Sequence, residues 1–172
     1  MRAKKAADAM DAFAAGWARE RGDLDFEYLA TVGRILRISA HLRDSMDDWL
    51  APFGLSWELF DLLASLRRDG GRHGLRPTDL YHVCMLSSGA TTNRIDRAAR
   101  LGLVERRPDR DDSRATRIAL TRRGRRLVDR AMTEHANRAG GLVASLARAD
   151  RRRLGTLLRD LLVTLEQADA AR

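Results

Sequence analysis

The stretch SSGATTNRIDRAARLGLVERRPDRDDSRATRIALTRRG, residues 87–124, decides the fold. A polar, small-residue turn at Ser87, Ser88 and Gly89 leads into a helical segment that runs to about Leu101, with Ile95, Ala98 and Ala99 on one face and Asn93, Arg97 and Arg100 on the other. After Gly102, LVERRP, DRDDSRA and TRIALT read as strand, charged turn and strand, with Leu103, Val104, Ile118 and Leu120 as the β-type apolar residues. Just upstream, Pro77 suits the first turn of a short helix through Leu80, Val83 and Leu86, and Thr78 and Asp79 complement the dipole at its start. Two short helices joined by a small-residue turn describe a helix-turn-helix whose second member is the reader. A hairpin directly after that member is a wing.

Working outward, Leu59, Leu62, Leu63 and Leu66 form the buried stripe of a helix that Ser56 is placed to cap and that Gly70 and Gly71 end. Before it, residues from about Asp25 to Leu50 carry Leu29, Val32, Leu36, Leu42 and Met46 on a helical period, and Pro52 and Gly54 stop them. An additional helix-forming segment, Ala6–Arg21, precedes Gly22. Downstream, Thr121 opens a long helix to about Leu146, and Ala149–Ala168 forms a last one with Leu154, Leu157, Leu158, Leu161, Leu162 and Leu165 as its seam. The expected class is therefore mainly α (α+β). Its parts are an added helix over 1–22, a dimerisation helix over 23–55, a winged helix-turn-helix over 56–121 and C-terminal dimerisation helices over 122–172. The apolar faces at both chain ends are too wide for a small winged domain to cover, so a helical homodimer interface built from both ends is expected, with an intramolecular bundle as the alternative.

The chain has 172 residues, a formal net charge of +8 and 44% hydrophobic residues, enough for a folded core. Of its 32 basic residues only Lys4 and Lys5 are lysines, and arginine's planar fork matches phosphate oxygens and guanine edges. Composition alone fits a GC-rich coding sequence equally well. Position decides between them, because residues 88–126 hold twelve arginines against five acids and so carry +7 of the total. Charge concentrated on the reader and wing points to duplex DNA as partner. The single cysteine, Cys84, permits no internal disulfide and suggests a reducing, cytoplasmic setting; no uncharged run suits a membrane span. His41, His73, His82 and His135 lack metal-ligand spacing, so neither an enzyme nor a cofactor is implied.

With the winged domain set between two groups of helices and the wing reading DRDDSRATRIALTRRGR, the sequence resembles the MarR family of bacterial transcriptional regulators over about residues 26–168. The resemblance implies a homodimer on a pseudo-palindromic operator, usually a repressor released by a small ligand. It also implies DNA contacts from Ser87, Ser88, Thr91, Thr92, Asn93 and Arg97. In the wing it implies Arg110, together with Asp112 orienting Arg114 into the minor groove. A narrower resemblance lies in the added segment GWARERGDLD, which looks like the urate-responsive branch, with Gly22 where that branch carries proline. Trp17, Asp61, Arg94 and Arg106 match the branch's ligand residues. Urate is a flat monoanion, so Trp17 suits stacking, Arg94 and Arg106 suit charge-assisted hydrogen bonds, and Asp61 suits holding an arginine before ligand arrives. Each has a plainer role open to it: Trp17 as a packing residue, Asp61 as a surface carboxylate opposite the leucine stripe, Arg106 as a phosphate contact. Another aromatic or phenolic anion, or a non-specific architectural role on DNA, are the alternative readings. Some relatives sense oxidants through cysteine, but Cys84 sits among Val83, Met85 and Leu86 and is expected to be buried and inert.

Overall fold

The structure is a computed structural model that describes residues 7–71, 73–84, 91–109, 112 and 114–171. The chain divides into two compact units, Met1–Glu58 and Leu59–Arg172.

The first unit holds α1 (Ala9–Glu20), a 3-10 turn (Glu27–Ala30) and α2 (Val32–Leu50). Asp8 starts α1 by accepting the backbone N–H groups of Met10 and Asp11, and the Asp11 carboxylate accepts the Asp8 N–H in return, a closed capping box. Arg34 of α2 donates to both carboxylates, at 2.7 Å to Asp8 and 2.6 Å to Asp11, so the cap also fastens the two helices together. The acids hold the Arg34 guanidinium above its usual range, and Arg34 holds the Asp8 carboxyl below its own. The single helix expected from Asp25 to Leu50 is broken. Asp25 accepts the Glu27 N–H and starts a 3-10 turn that closes at Thr31, and α2 begins only at Val32. Early in α2, Gly33 lets α1 come close: a Cβ there would lie 2.6 Å from the end of the Met10 side chain.

The second unit contains most of α3 (Trp57–Asp69), then α4 (Pro77–Val83), α5 (Thr91–Arg100), strands β1 (Val104–Pro108) and β2 (Thr116–Leu120), α6 (Arg122–Leu142) and α7 (Arg148–Ala170). Ser56 precedes α3, and the Asp47 carboxylate of α2 accepts the Trp57 N–H at 2.8 Å, so a long-range acid serves the helix start. Leu59, Leu62, Leu63 and Leu66 are buried, together with Leu80, Ile95, Ala98, Leu103, Val104, Ile118 and Val128. Each leucine so removed from water contributes about 1.5–3 kcal/mol before chain entropy is counted. The strands pair antiparallel with Val104 opposite Leu120 and Pro108 opposite Thr116, and Leu75 adds an isolated antiparallel bridge to Ile118. The hairpin and helix-turn-helix thus form a winged helix.

The wing root is set by a close approach. Thr121 caps α6 by accepting the Gly124 N–H, donates its hydroxyl to the Gly102 carbonyl, and gives its own N–H to Leu103. A Cβ on Gly124 would lie 2.0 Å from the Leu103 carbonyl oxygen. Helix α6 ends at Leu142, four residues short of the expected Leu146. His135 on α6 stands against the Phe60 ring at 5.2 Å, and burial pushes its pKa below the usual histidine value.

Two predictions follow from these contacts. Gly124→Ala destabilises the fold despite alanine's higher helix propensity, whereas Gly140→Ala, with nothing within 4 Å, stabilises it by about 0.5–1 kcal/mol; equal effects in urea denaturation would contradict the close packing. For His135, a depressed native pKa means that the unfolded chain binds the extra proton first. Stability is full above an unfolded pKa of about 6.5 and is lost as pH falls through that value toward the lower native one. Denaturation midpoints across that range, compared with His135→Gln, measure this component.

Candidate nucleic-acid interface and ligand site

On α5 the sequence period sorts the side chains by face. Thr91, Ile95 and Ala98 point into the core, Thr92, Asn93, Arg97 and Arg100 are exposed, and Arg94 lies half-buried between them. Thr91 was among the expected DNA contacts, but its side chain is fully buried, so the outward candidates in the first turns narrow to Thr92, Asn93 and Arg97. Ser87, Ser88 and Arg110 lie outside the described residues. The helix ends at Gly102 with φ +66, where the N–H groups of Gly102 and Leu103 return to Ala99 and Ala98. That left-handed residue turns the chain straight from reader into wing.

In the wing, Asp112 accepts the backbone N–H of Arg114 at 3.0 Å. The contact is therefore to the arginine's main chain, whereas the expected orientation of its guanidinium by this acid is not seen. The Arg114 side chain is exposed.

The four ligand candidates fall into three settings. Trp17 belongs to the first unit, where it stacks on Phe26 at 5.9 Å and meets the Phe13 edge at 6.4 Å, with 45% of its surface still exposed. Asp61 and Arg94 both act on the Cys84 thiol. Burial is the main force raising that thiol's pKa; a hydrogen bond with Ser65 pulls it down, the Asp61 charge pushes it up, and the Arg94 and Arg68 charges pull it down. Asp61 is only 5% exposed, which removes the surface-carboxylate alternative: α3 is buried on almost every side, so a position opposite the leucine stripe is still interior. Arg106 on β1 pairs with Asp96 of α5 at 2.7 Å, the two side chains 55% and 44% exposed. Asp96 thus holds the wing arginine.

One functional candidate is not marked in the sequence. Asp109, one of three acids in the wing turn, has a fully buried side chain that accepts from Arg76 and Arg117, each at 2.8 Å. Among the described residues no group of three potential metal ligands occurs, and no helix is long and apolar enough to cross a membrane.

This geometry defines a winged helix-turn-helix protein with an arginine-rich reading face. A family model described as the MarR family matches residues 53–115. The chain is 30% identical to the HTH-type transcriptional regulator PecS of Dickeya dadantii over 142 residues, 83% of this chain and 86% of that one. In structure it resembles AbsC, a MarR family transcriptional regulator from Streptomyces coelicolor, with a TM-score of 0.73 at 23% identity over 84% of this chain and 97% of that one. It also resembles S. aureus MepR in a DNA complex, with a TM-score of 0.70 at 23% identity over 78% and 98%. The chain belongs to the MarR family of transcriptional regulators.

Cys84 is half-buried rather than fully buried as expected, and its partial burial and raised pKa predict that it reacts with a neutral disulfide reagent more slowly in the folded chain than in denaturant at the same pH. Equal rates in the two states would show an open thiol.

Proposed function

We propose that the chain is a homodimeric, DNA-binding repressor released from a pseudo-palindromic operator by urate or a related anionic purine. The observation that carries the DNA-binding part is the sorting of α5: Thr92, Asn93 and Arg97 stand outward on one helix, within the segment that holds nearly all the net charge. Thr92 and Asn93 suit base edges or backbone, Arg97 suits phosphate or a guanine edge, and Arg114 suits the minor groove. Ser87, Ser88 and Arg110 complete the set by resemblance.

Dimerisation is supported by α7. Leu154, Leu157, Leu158, Leu161, Leu162 and Leu165 lie along its 23 residues, and each is between 39% and 58% exposed. A seam of that length on a free surface favours burial against a second copy. Two copies then present two readers to successive major grooves.

The ligand part rests on Arg94 and Arg106. Arg94 is half-buried beside the Asp61–Cys84 group, and Arg106 makes an exposed pair with Asp96. An arriving anion offers each guanidinium a charge-assisted bond. Taking Arg106 from Asp96 loosens the wing's contact with α5, which couples ligand to reader. Trp17, stacked on Phe26 within the first unit, belongs to the ligand residues by resemblance.

Fluorescence anisotropy on a labelled duplex from the chain's own upstream region, with unrelated duplex as competitor and urate as titrant, tests both parts. Specific binding reversed by urate is expected. Specific binding indifferent to urate but reversed by salicylate would replace the ligand, and equal affinity for unrelated duplex would leave an architectural role. Arg97→Ala is expected to weaken binding about tenfold while leaving urate binding intact.

A further inference from the structure

The wing is a hairpin of two five-residue strands, and such a hairpin is marginal on its own in water. Its root is held by the Leu75–Ile118 bridge and by the Thr121 contacts to Gly102 and Leu103. Asp109 lies at the other end. It follows the last strand pair, Pro108–Thr116, and its N–H bonds the Ala115 carbonyl at 2.9 Å, just before the turn that carries Asp112 and Arg114. Its side chain is 0% exposed, so it cannot itself touch nucleic acid.

Both arginines that hold it approach through Nε, each at 2.8 Å from the same carboxylate oxygen. Arg117 belongs to β2. Arg76 stands immediately before Pro77, the first residue of α4, so this bond runs from the wing to the first helix of the helix-turn-helix, 33 residues earlier in the chain. Arg117 makes a second crossing through Nη1 to the Gly74 carbonyl at 3.2 Å. A carboxylate buried between two guanidinium groups is strongly directional, because charge-assisted bonds are short and leaving either side unmade exposes a charge to a poor solvent. The Asp109 carboxylate also raises the Arg76 pKa, in keeping with the pairing.

We infer that Asp109 is the positioning residue of the wing: through Arg76 and Arg117 it fixes the hairpin's distal end to α4, and so sets where Arg114 meets the minor groove relative to the base-reading face of α5. The inference rests on the proposed DNA-binding function. Asp109 acts through Arg114 and makes no DNA contact of its own.

The test is a double-mutant comparison on the full chain, using a duplex enriched from a random pool by the wild-type protein. Arg114→Ala is expected to weaken binding roughly fivefold to tenfold in the wild-type background and to lower the salt slope by about one. In the Asp109→Asn background the same change is expected to cost less than twofold and leave the slope unaltered, because the arginine is no longer delivered to the groove. An equal loss in both backgrounds would overturn the inference and leave Asp109 a stabilising pair only. Absence of any Arg114 effect in the wild type would defeat the minor-groove reading itself, and with it the positioning role. Arg76→Gln keeps the Asp109–Arg117 pair and its Gly74 crossing while removing the direct Asp109 bond to the start of α4; should Asp109→Asn fail to fold by circular dichroism, this variant decides. It is expected to abolish the Arg114 effect in the same way, and a preserved effect would overturn the inference.

Discussion

The Leu103 carbonyl is the point on which the winged domain turns. It accepts the Thr121 N–H, and the bare Cα of Gly124 lets the first turn of α6 come against it. Through this one group the end of the reading helix, the start of β1 and the start of α6 share a position. Gly102, in a left-handed conformation, makes the preceding turn tight enough for α5 to close onto the strand without an intervening loop. Any side chain at Gly124 would push α6 away from the junction, and the buried Val128 and Ala131 on α6 would lose their seat in the core. Reader, wing and scaffold helix are therefore not three parts joined by linkers but one packed knot.

Much of this was legible in residues 87–124 because it is local. Period 3.6 separates Ile95 and Ala98 from Asn93 and Arg97, period 2 with charged turn residues marks the hairpin, and both survive in the structure. What escaped the sequence is non-local. The Asp47 carboxylate that meets the Trp57 N–H comes from another helix, and the Met10 side chain that accounts for Gly33 comes from α1. For Asp61, a ligand candidate, a helical wheel left a surface role open because it shows one stripe, whereas α3 is buried on several sides. Asp109 is the sharpest case: in DRDD three acids are equivalent as letters, and it is the approach of Arg76 and Arg117 that marks Asp109 as interior.

The two faces of the hairpin carry unlike ion pairs. Arg106 stands opposite Ile118 and reaches Asp96 of α5, while Arg117 stands opposite Arg107, on the alternate face, and holds Asp109. The first pair is exposed on both sides and is worth about 0–1 kcal/mol; the second centres on a carboxylate removed from water, whose loss of a partner is far more costly. An anionic effector that competes for arginine can therefore break the first pair and not the second. In the proposed function the wing would then shift on the α5 side while remaining fastened to α4. Such a motion alters the angle between wing and reader without melting either, which is the kind of change that a dimeric repressor needs in order to lose two grooves at once while staying folded.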